Sequence, residues 1–139
     1  MATHSCALDT SAAPEAVWRI WSQPEAWPEW NPDVELMKLD GPLAAGVTGR
    51  MRTKRGGEHP IRFESVDPGR SFQLATAAMP GTTFHFRCAI EPAGGGSRVS
   101  QSIAMSGPLG GLFSAMMGAR IAASFEPILK ALARRAEGA

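Results

Sequence analysis

Between Val47 and Met105 apolar and polar residues alternate with a period of two, and nothing else in this chain constrains its fold so strongly. In "VTGRMRTK", Val47, Gly49, Met51 and Thr53 share one face and Thr48, Arg50, Arg52 and Lys54 the other, with a Gly56-Gly57 turn to follow. "IRFESV" sets Ile61 and Phe63 against Arg62 and Glu64, and "SFQLAT" places Phe72 and Leu74 inward. "TFHFRCAI" adds Phe84, Phe86, Cys88 and Ile90, and "RVSQSIAM" closes with Val99, Gln101, Ile103 and Met105. Turn chemistry at "DPGR" and "PAGGGS" separates the runs, so they read as consecutive antiparallel strands with one wet face.

A sheet with one apolar face must be covered. The final segment, "GPLGGLFSAMMGARIAASFEPILKALARRAEG", has helical spacing for about 28 residues, or roughly 40 Å at 1.5 Å per residue, and is the only element large enough. Its main apolar stripe runs through Met117, Ile121, Phe125, Ile128 and Leu132. Pro127 cannot donate to the carbonyl four residues earlier, which predicts a bend near Ala123. Leu109, Leu112 and Met116 project from another side, an apolar surplus that a loop, a membrane surface, a ligand or a second subunit in a homodimer would have to cover.

Ahead of the strands, "SAAPEAVWRIWSQPEAW" reads as a helix start, with Ser11 as a capping candidate and Pro14 in the first turn. Pro24 ends that helix and a second short one follows. Prolines at 28 and 32 stop it in turn, so "EAWPEWNPDV" is a stiff corner carrying Trp27 and Trp30. The expected order is one strand, two short helices, some six strands and a long helix, in a single domain over residues 1–139.

Composition excludes more than it identifies. A net charge of +1 supplies no field that would gather nucleic acid. No apolar run approaches the roughly 20 residues of a membrane span, and "MATHSCALDT" lacks the basic start and apolar middle of a secretory signal, so a cytoplasmic location is expected. Cys6 and Cys88 make neither a disulfide framework nor a metal knuckle, and the three histidines have no metal-ligand spacing; no cofactor is expected.

The element order, with "APEAVWRIWSQPEAWPEWNPDV", "GPLAAG", "VDPGRSFQL" and "GGGSRVSQSIAMSGPLG", resembles the SRPBCC superfamily over nearly the whole chain, and within it the polyketide cyclase/dehydrase and lipid-transport group related to the START domains. The resemblance implies an α+β helix-grip fold, a curved antiparallel sheet of about seven strands wrapped around the long C-terminal helix, with a ligand cavity between them. It also implies that the first strand pairs with the last and that the short helices plug one end, sealed by Trp18, Trp21 and Trp30; Trp27 is harder to place.

Such a cavity would be lined from the strands by Met51, Phe63, Phe72 and Leu74, then by Phe84, Phe86, Ile103 and Met105, and from the helix by Phe113 and Met117. Two polar residues stand out. Gln101 points inward between Val99 and Ile103, where its amide must find a neighbour, a water or a ligand. Arg120 sits at the edge of the helix stripe, placed either to snorkel or to meet a polar ligand group. His85 and Arg87 alternate with inward apolar residues and belong outside, His59 beside Pro60 reads as surface, and Arg50, Arg52, Lys54 and Arg62 form a basic outer stripe partly offset by Glu64.

Three functions remain open at this stage. One is binding or transport of a small hydrophobic molecule such as a lipid, isoprenoid or aromatic polyketide. The second is a cyclase or dehydratase that polarises a carbonyl with Gln101 and Arg120. The third is an interaction protein with a self-filled core.

Overall fold

The computed structural model describes residues 3–54 and 57–138; Gly56 of the expected turn lies outside them. Strand β1 (Thr3–Thr10) leads into helix α1 (Pro14–Trp21) and a 3₁₀ helix (Pro24–Glu29). Six strands follow: β2 (Val34–Leu39), β3 (Thr48–Thr53), β4 (Gly57–Asp67), β5 (Ser71–Met79), β6 (Thr82–Ala93) and β7 (Gly96–Ser106). Helices α2 (Gly110–Ala123) and α3 (Phe125–Glu137) complete the chain. The sheet is antiparallel throughout, in the order β1-β7-β6-β5-β4-β3-β2, with the first strand against the last as expected.

Register puts each inward residue where alternation predicts. Phe72, Cys88, Gln101 and Cys6 form one row across four strands, and Phe63, Leu74, Phe86, Ile103 and His4 form the next. At the tip of the β6–β7 hairpin Ala93 pairs with Gly96 across Gly94 and Gly95, whose φ of 53° and 86° is the left-handed pair that a two-residue turn with the strands' own twist needs.

The entry to α1 differs from expectation. Ala13, not Ser11, occupies the cap position, with no side-chain cap bond, and Pro14 supplies the preset φ of the first turn. Trp27 is one of the most buried residues: it is 5% exposed, its Nε1 donates to the Trp21 carbonyl at 3.2 Å, and its ring meets those of Phe63 and Phe72. Trp18 and Trp30 are only half-buried.

The long C-terminal helix breaks at Ser124, where the bend was expected. Pro127 falls in the first turn of α3, where a missing N–H leaves no bond unmade, so the chain restarts a helix instead of kinking one. The two halves bury different chemistry. Toward the sheet α2 presents Gly110, Ser114, Gly118 and Ala122, a row at four-residue spacing that replaces the expected Met117–Ile121 stripe as its buried face. By contrast α3 buries Phe125, Ile128, Leu129, Leu132, Ala133 and Ala136. By length and composition the 28-residue segment Gly110–Glu137 is apolar enough to cross a bilayer, which qualifies the reading of no spanning run; in this fold it lies along the sheet.

The core has two parts. One gathers Val17, Trp21, Trp27, Phe63, Phe72, Val99, Leu129 and Leu132 at the end plugged by the short helices. The other gathers Phe84, Ile103, Met105, Ala122, Phe125 and Ile128. Cys6, Trp30 and Phe86 touch both.

Candidate functional site

Members of both clusters border a half-open cavity of about 460 Å³. The core is therefore not self-filled. Met51 and Thr53 of β3, His59 of β4, Phe72, Leu74, Thr76 and Met79 of β5, Phe84, Phe86 and Cys88 of β6, and Gln101 of β7 form its sheet wall. Met117, Arg120, Ile121, Ser124, Phe125 and Ile128 form the helix wall, and Trp21, Trp27, Trp30, Asn31, Asp33 and Val34 close the plugged end.

Of the residues singled out from sequence, Met51, Phe72, Leu74, Phe84, Phe86, Gln101, Met117 and Arg120 meet on this wall. Phe63, Ile103, Met105 and Phe113 do not line it. Phe63 is fully buried behind the rings of Trp27 and Phe72, with centroids 6.4 and 5.6 Å away. Ile103 and Met105 lie in the second cluster with Ala122, and half-buried Phe113 packs against that cluster. The cause is the small-residue face of α2: a Cβ on Gly110 would stand 2.8 Å from the Met105 carbonyl oxygen, so helix and β7 touch with no space between. The void opens instead toward β3–β6.

His59, read as surface, is on the cavity wall opposite Met51 in the β3–β4 register. Its alternation with Ile61 and Phe63 carried that signal, obscured by the neighbouring Pro60. Thr53, Asn31 and Asp33 join it in a polar margin beside the tryptophans.

The hydroxyls of Thr76 and Ser124 donate to the carbonyls of Pro60 (2.9 Å) and Ile121 (2.6 Å), so toward a ligand they can act only as acceptors. The Gln101 amide makes no hydrogen bond among the described residues, and exposed Arg120 has no ion pair there either. Burial pushes the Cys88 thiol well up, against a weaker downward pull from Arg87, so it rests as a neutral thiol. Cys6 and Cys88 are both free, on strands separated by β7.

His85 lies on the outer face as expected, but with partners: Nδ1 is 2.7 Å from Glu64 Oε1 and Nε2 is 2.7 Å from Ser106 Oγ. The serine–histidine–glutamate order is that of a nucleophilic triad, yet these residues are not part of the cavity wall, and the network ties β4, β6 and β7 together. Partial desolvation raises the Glu64 carboxyl, but hydrogen bonds from His85 and Gln73 and the charges of His85 and Arg62 outweigh it and hold the group below its ordinary value. Besides Glu64, whose charge meets that of Arg62, the basic outer stripe is offset by two further glutamates: Arg50 pairs with Glu58 at 3.5 Å, and Arg52 with Glu35 at 3.7 Å. Among the described residues no group of His, Cys, Asp and Glu is arranged to hold a metal ion.

A curved antiparallel sheet that closes on a C-terminal helix around an apolar cavity defines a helix-grip protein. The chain belongs to the polyketide cyclase / dehydrase and lipid transport family, whose model matches residues 5–137, and so to the SRPBCC superfamily. Solved structures agree in fold. Protein TTHA0849 from Thermus thermophilus superposes with a TM-score of 0.75 at 17% identity over 99% of this chain and 98% of its own. Truncated norcoclaurine synthase from Thalictrum flavum gives 0.70 at 15% over 96% and 91%. The di-domain ARO/CYC StfQ of the steffimycin biosynthetic pathway gives 0.79 at 14% over 98% of this chain and 50% of its own. Among curated proteins none matches the sequence.

Proposed function

We propose that this protein binds or carries a small hydrophobic molecule, a lipid, an isoprenoid or an aromatic polyketide, in the cavity between sheet and helix. The observation that carries the proposal is the cavity itself: about 460 Å³, half-open, and walled mainly by Phe, Trp, Met, Leu and Ile side chains. Sites for small ligands have this size and character, roughly 300–1,000 Å³ and predominantly apolar with a few placed polar groups. Native mass spectrometry of the purified protein tests it. A co-purifying apolar molecule supports the carrier, and an empty protein that takes up no apolar probe removes it.

A second reading, a cyclase or dehydratase, has one observation in its favour: the Gln101 amide faces the cavity without a partner, as a group that polarises a carbonyl would. Two of the structural relatives carry the names of a synthase and an ARO/CYC, which fits this reading. It requires turnover that depends on Gln101.

A further inference from the structure

Two tryptophans at the plugged end of the cavity differ in one respect. The indole N–H of Trp27 is satisfied by the Trp21 carbonyl at 3.2 Å. That of Trp30 is shielded from water and has no partner among the described residues. A buried donor left unmade carries the desolvation penalty of a lost hydrogen bond, and such groups call for a specific account.

Position supplies the account. Trp30 follows the 3₁₀ helix, its half-buried ring borders the cavity, and it packs against both halves of the core, so it stands at their seam and not inside either. The N–H edge is turned away from the void in this structure, so donation to a ligand requires the side chain to rotate toward it. Resting on the binding role proposed above, we infer that Trp30 determines ligand specificity by donating its indole N–H to a ligand oxygen, and that the ligand is an aromatic or polycyclic molecule bearing a carbonyl or hydroxyl group.

Three further observations narrow the class. Of the rings that border the cavity, Trp21, Trp27 and Phe72 are almost wholly buried against one another, and half-buried Phe86 and Trp30 offer the aromatic surface, which favours a flat ligand over a saturated chain. Asp33, also on the wall and three residues along the chain, disfavours a carboxylate at this end and so selects a neutral oxygen. Gln101, without a partner of its own, provides a second hydrogen-bonding group for such an oxygenated ring system.

Fluorene and 9-fluorenone test this directly, because the two tricycles have nearly the same shape and only the ketone accepts a hydrogen bond. Equilibrium dialysis of each against wild type and Trp30→Phe should show both affinities changed by the smaller ring, but the preference for fluorenone over fluorene reduced about 5- to 10-fold in the variant. In ¹⁵N-tryptophan-labelled wild type, both aromatic probes should shift the Trp30 indole resonance by ring current, and fluorenone should add a downfield hydrogen-bond shift of the N–H that fluorene lacks, a readout that does not depend on the variant's folding. If both probes bind, the preference survives Trp30→Phe and the resonance is indifferent to the ketone, the assignment to Trp30 is overturned while the carrier reading stands. If neither probe binds wild type, the carrier reading for such ligands fails and this inference with it.

Discussion

Gly118 lies directly beneath the imidazole of His4: a Cβ at position 118 would overlap the ring, whose Nε2 is 3.2 Å from Ser114 Oγ one turn earlier on the same helix. The contact joins β1 to α2 and explains why the helix carries a residue with poor helical propensity there. Alanine for glycine inside a helix ordinarily adds about 1 kcal/mol. Here Gly118→Ala should instead destabilise by about 1 kcal/mol, because the ring is displaced and its hydrogen bond lost. In a His4→Ala background the same substitution should stabilise by about 1 kcal/mol, a coupling that a double-mutant cycle of urea melts measures. The same effect in both backgrounds would contradict the contact.

The outer-face network predicts acid sensitivity. Glu64 titrates below its ordinary value of 4.5 in the folded protein, so its carboxylate stabilises the fold above about pH 4.5, and that contribution is lost as pH falls through the lowered folded value. Thermal melts of wild type and Glu64→Gln between about pH 3 and 6 should show wild type losing its advantage on acidification. A difference that is constant or grows toward low pH would be the wrong sign.

Gln101→Leu replaces a half-buried amide that has no partner by a side chain suited to its apolar row. Stability should rise by about 1 kcal/mol, and purely apolar probes should keep their affinity. With a substrate in hand, loss of turnover without loss of such binding would establish the cyclase reading, and unchanged turnover would remove Gln101 from any mechanism.

Leu109, Leu112 and Met116 are 40%, 55% and 63% exposed, the exposed large apolar side chains among the described residues. A helix half with so little buried side-chain volume should open locally at low free energy. Amide exchange over residues 107–118 should exceed that over 125–133 and should slow once an apolar ligand of proven affinity is bound. Equal protection throughout would indicate a rigid helix.

Most of the fold was legible because its signals are local and periodic. Alternation from Val47 to Met105 identified the inner face strand by strand, Pro127 located the helix break, and three exposed apolar residues, Leu109 at the cap of α2 and Leu112 and Met116 within it, stood apart from its stripe. The site was legible only in part. Period-two parity says which face a residue takes but not how far the opposite layer stands from it, so Phe63, Ile103 and Met105 pointed inward as predicted and met packed atoms instead of a void. That separation depends on the Gly110–Ala122 row, whose small residues bring helix and sheet into close contact. Trp27 was left unplaced and His59 misplaced for a related reason. Each adjoins a proline, and local stiffness was weighted above tertiary burial.

The break at Ser124 has a consequence for how such a chain can diversify. Its anchoring half, α3, shares Leu129, Leu132 and Ala136 with the plugged end of the core, whereas Met117, Arg120 and Ile121 of α2, with Phe125 and Ile128 of the first turn of α3, face the ligand space. Because a fresh helix begins at Phe125, substitutions in the forward half need not propagate strain into the anchor. Selection can therefore retune the guest through α2 and the first turn of α3 while the rest of α3 maintains the host.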